Sequence, residues 1–220
     1  MSPEVSGSRQ LSTDSLFADD HRTLRCWWCA RHDDYVEYHD IEWGNPVDDD
    51  CRLFEKICLE GFQSGLSWLT ILRKRENFRK AFKDFDYNKV AKFNSKHVDR
   101  LLDNAGIVRH RGKIEATINN ASRALEMEAE FGSLAAWFWQ YEPTNLKPMK
   151  SKTDAMKRTT CDSAVDMSKA LKKLGWKFVG PTTAYAFMQA MGMVNDHLVG
   201  CSAYETVEEA RNNFERPGSS

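Results

Sequence analysis

The chain has 220 residues, which allows one large domain or two small ones. Hydrophobic residues make up 41% and charged residues 29%, an ordinary balance for a globular protein in water. No apolar run approaches the ~18 residues of a membrane span, and the N-terminus has no apolar signal core. The formal net charge of −1 gives no global signature of a nucleic-acid partner, so any DNA-binding face must be a local patch. Six Cys without a secretory signal point to a reducing compartment, the cytoplasm, where thiols stay free or bind metal.

Residues 1–24 are polar and rich in Ser and Asp and read as a flexible leader. The body that follows is patterned for helices. Leu53, Phe54, Ile57 and Cys58 form one stripe over 50–60. The stretch 64–82 continues with Leu66, Leu69, Leu72 and Phe78. Asp86 is an N-cap for "DYNKVAKF", Ser95 starts "SKHVDRLLDNAG", and Gly106 stops it. A helix over 111–130 carries Ile114, Ile118, Ala121 and Leu125. Ser133 caps "LAAWFWQY", and 143–153 is a loop with two Pro. Ser163 and Asp166 have the spacing of a capping box, with Gly175 as the stop. A last core helix covers about 181–191. The stretch 205–220 is a tail with helical composition and a frayed "RPGSS" end. No stretch alternates with period two over a useful length, so the expected class is all-α: one compact body over 25–204, with room for two lobes.

Three constellations carry chemistry. Cys26 and His39 stand near the start, and "HLVGC" puts His197 and Cys201 at i, i+4, on one helical face or one tight turn. Two Cys and two His suit a closed structural zinc site, which would fasten the first ordered residues to the last. The spacing leaves a rival open, because Cys26 and Cys29 form a C-x-x-C that with His197 and Cys201 also supplies four ligands. It also leaves open that these are unrelated residues at core edges.

The second constellation is aromatic. Trp27, Trp28, Tyr35, Tyr38 and Trp43 fall within "CWWCARHDDYVEYHDIEWG". Trp68 lies beyond an isolated acid, Glu60, in "CLEGFQSGLSW". The rings are either core or the walls of a pocket for a flat, electron-poor ring. Burying an unpaired carboxylate costs several kcal/mol, so Glu60 is exposed, paired, or kept for chemistry. The third constellation is "LKKLGWKFVGPTTAYAFMQAMGMVNDH", a helix–turn–helix with Gly180 before Pro181 at a first helical position. Its turn could hold a DNA phosphate on backbone N–H groups. Lys169, Lys172, Lys173 and Lys177 lie beside it, and "RHRGK" (109–113) adds a second basic cluster. The bland alternative is a packing hairpin with Lys on a solvated face.

Taken together, "YHDIEWG", "CLEGFQSGLSW", "LLDNAGIVRHRGKI" and "GWKFVGPTTAYAFMQAMGMVNDHLVGC" resemble the 3-methyladenine DNA glycosylase I family of bacteria. The resemblance covers about residues 25–204. It implies a helix-hairpin-helix DNA glycosylase fold, with a structural zinc site joining the N- and C-terminal segments. The implied ligands are Cys26, His39, His197 and Cys201, which leaves Cys29 as an extra thiol. It maps the lesion pocket to Glu60, Tyr35, Tyr38, Trp43 and Trp68. Gly65 and Leu66 belong to the loop that probes the gap left by the flipped nucleotide, with Leu66 as the plug. Lys177 and Gly180 lie on the DNA-binding hairpin. Trp27 stands where many relatives carry Gly, and Phe62 where Gln is common. The wider superfamily carries a catalytic Asp in a "VDxH"-like segment; here that place is Asn195, with Asp196 out of register, which returns the chemistry to Glu60.

The implied reaction is hydrolytic, monofunctional excision of 3-methyladenine from alkylated double-stranded DNA. The free base is the product, no membrane is involved, and the chain is expected to act as a monomer. One cation–π contact (~0.5–2 kcal/mol) and one hydrogen bond to a charged partner (~1.5–3 kcal/mol) would favour the cationic lesion over neutral adenine by roughly 2–5 kcal/mol. The competing classes are a relative that binds damaged DNA without cleaving it and a zinc-stabilised helical interaction protein.

Overall fold

The structure is a computed structural model, and it describes residues 15–218. Most of the leader, residues 1–14, lies outside the described residues. The chain enters through a short antiparallel hairpin, β1 (Leu16–Ala18) and β2 (Leu24–Cys26), with Leu16 opposite Cys26. A single 3-10 turn, Trp27–Cys29, leads to α1 (Asp33–Glu37) and then to a π-helical turn, Tyr38–Glu42. The hairpin is a departure from the all-helical expectation. Strands of three residues are too short to show a period-two pattern.

The central element is α2 (Asp50–Gln63). Asp49 caps it by accepting from the Arg52 N–H at 2.8 Å. The expected stripe of Leu53, Phe54, Ile57 and Cys58 is buried, and so are Leu59, Gly61 and Phe62, so the last turns are enclosed on all sides. The stretch expected as one helix over 64–82 is two, α3 (Trp68–Leu72) and α4 (Arg75–Ala81). Ser67 restarts the helix by accepting from Thr70 N–H, which leaves 64–67 as an exposed loop. A short 3-10 segment (Lys83–Phe85) precedes α5 (Tyr87–Val90), which Asp86 caps as expected.

The next helix, α6 (Ser95–Asp103), is capped by Asn94, not Ser95, in a reciprocal box with His97. It ends three residues before Gly106. The long α7 (Arg111–Phe131) and α8 (Leu134–Trp139) follow. Ser133 caps α8, and the Asp50 carboxylate accepts from the Leu134 and Ala135 N–H groups, tying the starts of α8 and α2 together. A one-and-a-half-turn helix, α9 (Lys152–Lys157), begins at the end of the expected 143–153 loop.

The hairpin pairs α10 (Asp162–Lys173) with α11 (Pro181–Ala190). The expected Ser163 box is absent: α10 begins at Asp162, after Cys161, with no side-chain cap. Among its neighbours, α2 packs on α11, α7 and α8, which makes one core around it. Gly192, just past α11, has φ +76°, and a Cβ there would lie 2.4 Å from the Pro46 nitrogen. Glycine therefore lets this end of α11 close onto the segment entering α2.

The chain finishes in α12 (Ser202–Asn213), which contacts β2. The domain limits at 24/25 and 204/205 thus both cut through elements, β2 and α12. β2 and the start of α12 meet, and that meeting helps gather the cysteine and histidine cluster. No helix of the described residues is long and apolar enough to cross a membrane.

Candidate active site and metal centre

The π-helical turn sorts two adjacent side chains to opposite tasks. Its i→i+5 bond, from Trp43 N–H to Tyr38 O at 2.9 Å, adds a residue to the turn, a distortion common at functional sites. Tyr38 lines the central cavity, while His39 joins the cluster with Cys26, His197 and Cys201.

All four cluster residues are buried, and their ligand atoms lie within 4.8 Å of one another. His39 Nε2 is 3.1 Å from His197 Nδ1, and Cys201 Sγ is 3.4 and 3.7 Å from those two nitrogens. A tetrahedron built on zinc–nitrogen and zinc–sulfur bonds has edges of roughly 3.3–3.8 Å. The outer contacts fix the tautomers. His39 Nδ1 meets the Asp40 carboxylate at 2.7 Å, and Asp40 is held in turn by Arg25. His197 Nε2 meets the Trp43 carbonyl at 2.9 Å. In the neutral rings each of those nitrogens is the donor, which leaves the two inward nitrogens as facing lone pairs. Such a pair calls for a cation between them.

The Cys201 thiol is pulled well down by its contact with Cys26 and the two imidazoles, while Cys26 is pushed up by the same partner, so the pair readily sheds one proton and holds the other. The Leu198 N–H supports Cys26 Sγ at 3.3 Å. His197 and Cys201 stand on a tight turn, with Cys201 N–H donating to Leu198 O. Gly44, at φ +88°, leaves the room: a Cβ would meet His197 at 3.2 Å. Cys29 stays outside the cluster and donates to the Cys26 carbonyl. These four residues could hold a metal ion, and the rival set with Cys29 does not assemble.

Beside the cluster is a cavity of about 220 Å³, smaller than a typical drug-sized site of ~300–1,000 Å³. Its walls include Tyr35, Tyr38, Trp43, Trp68 and Glu60, the five residues to which the resemblance gave the lesion pocket. Neighbouring rings form a continuous chain. Trp43 to Trp28 is 5.0 Å between centroids, Trp28 to Tyr35 4.8 Å, Tyr35 to Tyr38 6.3 Å and Tyr38 to Trp68 5.5 Å. The chain runs on into the metal cluster, with Trp43 4.7 Å from the His197 ring. Trp68 Nε1 is buried and has no hydrogen-bond partner among the described residues.

Glu60 is neither exposed nor alone. Its carboxylate pairs with Lys56 Nζ at 2.8 Å, one turn earlier on α2, and both side chains are buried. Lys56 also donates to the Tyr38 hydroxyl at 2.9 Å and sits 3.1 Å from the Trp68 ring centroid. Burial lowers the Lys56 ammonium to about 8, against the pull of Glu60. Sequence reasoning missed Lys56. The i, i+4 Lys–Glu spacing on an otherwise apolar helix face was the available signal.

Trp27 and Trp28, already among the candidate ring walls, also line the cavity, and other walls were missed: Gln63, Ala155, and Ala186, Gln189 and Asp196 from around α11. Asp196 receives the Tyr185 hydroxyl at 2.6 Å, Gln189 Nε2 at 2.8 Å and Arg158 Nη1 at 3.2 Å. Asn195 donates instead to Tyr204 O and Glu208 on α12. The carboxylate of the "VNDH" segment that reaches the cavity is therefore the one out of register. Phe62 turns into the core against Phe78, 4.6 Å between centroids, and takes no part in the loop after it.

Leu66 is 43% exposed at the tip of that loop, beside Gly65 at φ +80°. Lys113 fastens the loop's base, with Nζ donating to the Phe62 and Ser64 carbonyls at 2.9 and 2.6 Å. The "RHRGK" cluster is thus partly structural: Lys113 caps α2, His110 caps α7, and Arg111 pairs with Asp99. In the α10–α11 turn, Asn120 of α7 accepts from the Lys177 N–H and donates to its carbonyl. The Lys177 side chain is left exposed, and Gly180 is the half-buried N-cap of α11.

Comparison with known proteins decides the family. A family model described as methyladenine glycosylase matches residues 28–204. The chain belongs to the methyladenine glycosylase family. It is 50% identical over 182 residues to DNA-3-methyladenine glycosylase 1 of Escherichia coli K12, covering 82% of this chain and 96% of that one. It is 45% identical over 181 residues to DNA-3-methyladenine glycosylase of Haemophilus influenzae, covering 81% and 97%. A crystal structure of 3-methyladenine DNA glycosylase I superposes with a TM-score of 0.76 at 46% identity, covering 82% of this chain and 99% of that chain. A variant of such an enzyme in complex with 3-methyladenine superposes at 0.77 with 37% identity, covering 82% and 97%. The fold is mostly helical and shared with these glycosylases.

Proposed function

We propose that the chain excises 3-methyladenine from alkylated double-stranded DNA by hydrolysis, leaving an abasic site. The observation that carries this reading is a carboxylate, Glu60, on the wall of a ring-lined cavity sized for one flat base. Adenine methylated at N3 carries a positive charge while it is attached to the sugar. When the N-glycosidic bond breaks, its electron pair moves to the base and quenches that charge, so no strong general acid is required. Water then adds to the sugar C1′ of an oxocarbenium-like species and loses a proton to solvent.

In this scheme Tyr35, Tyr38, Trp43 and Trp68 supply electron-rich faces, and Glu60 accepts a hydrogen bond from the base and favours its charge. Trp68 Nε1–H is an orphan donor, which costs ~1–3 kcal/mol while unpaired, and a ring nitrogen of the base would satisfy it. Lys56 is buried and engaged by Glu60 and Tyr38, so its amine is held back from the sugar, in keeping with a monofunctional enzyme. The α10–α11 pair acts as the helix-hairpin-helix that grips the DNA backbone, through Lys177 and the Gly180 turn.

Zinc is the ion we assign to Cys26, His39, His197 and Cys201, in a structural role. It would neutralise the facing donors and clamp the entry hairpin to the last turn before α12. The soluble reaction and reduced thiols fit the cytoplasm.

Incubation with methylated duplex DNA is expected to release free 3-methyladenine and leave alkali-labile abasic sites. Retention of the methylated base with tight binding to that DNA would instead mark a binding module. Leu66→Ala is expected to slow excision from duplex about tenfold, ~1.4 kcal/mol, because nothing then fills the vacated stack. Its affinity for free 3-methyladenine, followed by tryptophan fluorescence, should be unchanged.

A further inference from the structure

We propose that Lys56 determines how strongly the pocket prefers a charged base. Its ammonium already holds the position between Glu60 and the Trp68 ring, and a cationic purine is accepted fully only as Lys56 gives up its proton. The inference rests on the lesion-pocket reading above.

The geometry makes the two cations competitors. Lys56 Nζ takes one Glu60 oxygen at 2.8 Å and lies 3.1 Å from the Trp68 centroid and 5.2 Å from that of Tyr38. These are the carboxylate and two of the rings whose negative character would attract a positive base. With Lys56 charged, the pair is neutral and the favourable ring face is in use. A second positive charge a few ångströms away then meets repulsion in a poorly solvated site.

The charged groups that act most strongly on Lys56 are few. Glu60 lies on its own helix. The π-helical turn contributes the Tyr38 hydroxyl and Glu42, and α4 contributes Arg75. Glu42 is committed to Arg75 at 2.6 Å, so Glu60 is the counter-ion left to Lys56. Tyr38 stays a neutral phenol, held far above its usual range by burial. Burial brings Lys56 down to about 8, with Arg75 adding to the depression and Glu60 and Glu42 opposing it. Deprotonation is therefore accessible near neutral pH, and a cation bound next to Glu60 favours it further.

The linkage has a definite sign. Binding a cation expels up to one proton, so affinity rises with pH below about 8 and levels off above it. A purine cation whose charge is fixed by methylation at N3 and N9 is the probe, with neutral 9-methyladenine as control. Binding is read from tryptophan fluorescence between pH 6.5 and 9. For the wild type, affinity for the cation should climb by up to tenfold per pH unit and then flatten, while the neutral purine shows no slope. Lys56→Met should bind the cation without that slope and at least as tightly as the wild-type plateau. Lys56→Arg, which keeps its charge throughout, should bind it weakly and without slope.

A flat wild-type profile, or a Lys56→Met profile that keeps the wild-type slope, overturns the proposal. Failure of every form to bind either purine overturns the pocket reading and this proposal with it, whereas pH-independent binding overturns this proposal alone.

Discussion

Glu60→Gln is expected to reduce kcat/KM for 3-methyladenine excision by about 10- to 150-fold. That range corresponds to loss of one hydrogen bond to a charged group, ~1.5–3 kcal/mol. The amide keeps the shape of the side chain but loses its charge, so binding of a neutral purine should change much less. A second consequence distinguishes this variant from a simple active-site lesion. Glu60 is the counter-ion of a fully buried ammonium, and breaking such a pair from one side costs ~3–5 kcal/mol while the orphan stays charged.

In the wild type, Lys56 titrates at about 8 in place of 10.5. Between those values the unfolded chain binds a proton that the folded chain does not, so stability rises with pH across that window. Without Glu60 the Lys56 value falls further. The variant's stability deficit is then fully present at low pH and closes above pH 8, where Lys56 is neutral in both proteins. Melting at pH 6.5 and pH 9 should show a large and a small difference from wild type. Adding Lys56→Met to Glu60→Gln should recover the melting temperature at pH 6.5 and leave excision impaired. Unchanged excision by Glu60→Gln, with unchanged binding of free 3-methyladenine, would remove Glu60 from the mechanism.

Lys56 also marks where sequence reasoning stopped. Glu60 stood out because it interrupts an apolar run, and pairing was one of its three permitted states. The partner was hidden because Lys56 lies between Glu55 and Ile57, where a lysine on a helix normally points to solvent. Only the enclosure of the last turns of α2, by α3, α11 and the π-helical turn, shows that position 56 faces inward. The metal set has a different history. Spacing within "HLVGC" was readable because i, i+4 is local, but Cys26 and Cys29 were equivalent by spacing. The 3-10 turn that sends the Cys29 thiol to its own backbone is not visible in composition. The break at Ser67 was missed because Leu66, Leu69 and Leu72 keep a helical period through an N-cap. Asp196 reaches the cavity while Asn195 turns to α12 because the segment after α11 is irregular, and residue count alone does not show which of the two faces inward.

The metal prediction has the largest expected effect on stability. Metal analysis should find about one zinc per chain, and His197→Ala should abolish it. Losing His197 leaves three ligands, two of them thiols, and Nε2 of His39 without its opposite number. If the site contributes even ~3–5 kcal/mol, well below the ~10–16 kcal/mol apparent for small zinc domains, the melting temperature of a chain this size should drop by roughly 6–20 °C. Strong chelation of the wild type should lower it in the same direction.

The cluster also supports the pocket: His197 holds the Trp43 carbonyl and packs on its ring, and Trp28 rests against His39 at 5.1 Å. Excision by His197→Ala should therefore fall because the ring wall loosens, not because a reacting group is gone. That difference is measurable. An indirect defect shrinks on cooling, where the folded arrangement is retained, whereas the Glu60→Gln defect at pH 9 should persist at every temperature at which the protein is folded. Wild-type protein that is free of metal, unaffected by chelation and fully stable would mean that the four residues are held by packing alone, and the facing lone pairs of His39 and His197 would then need a proton between them.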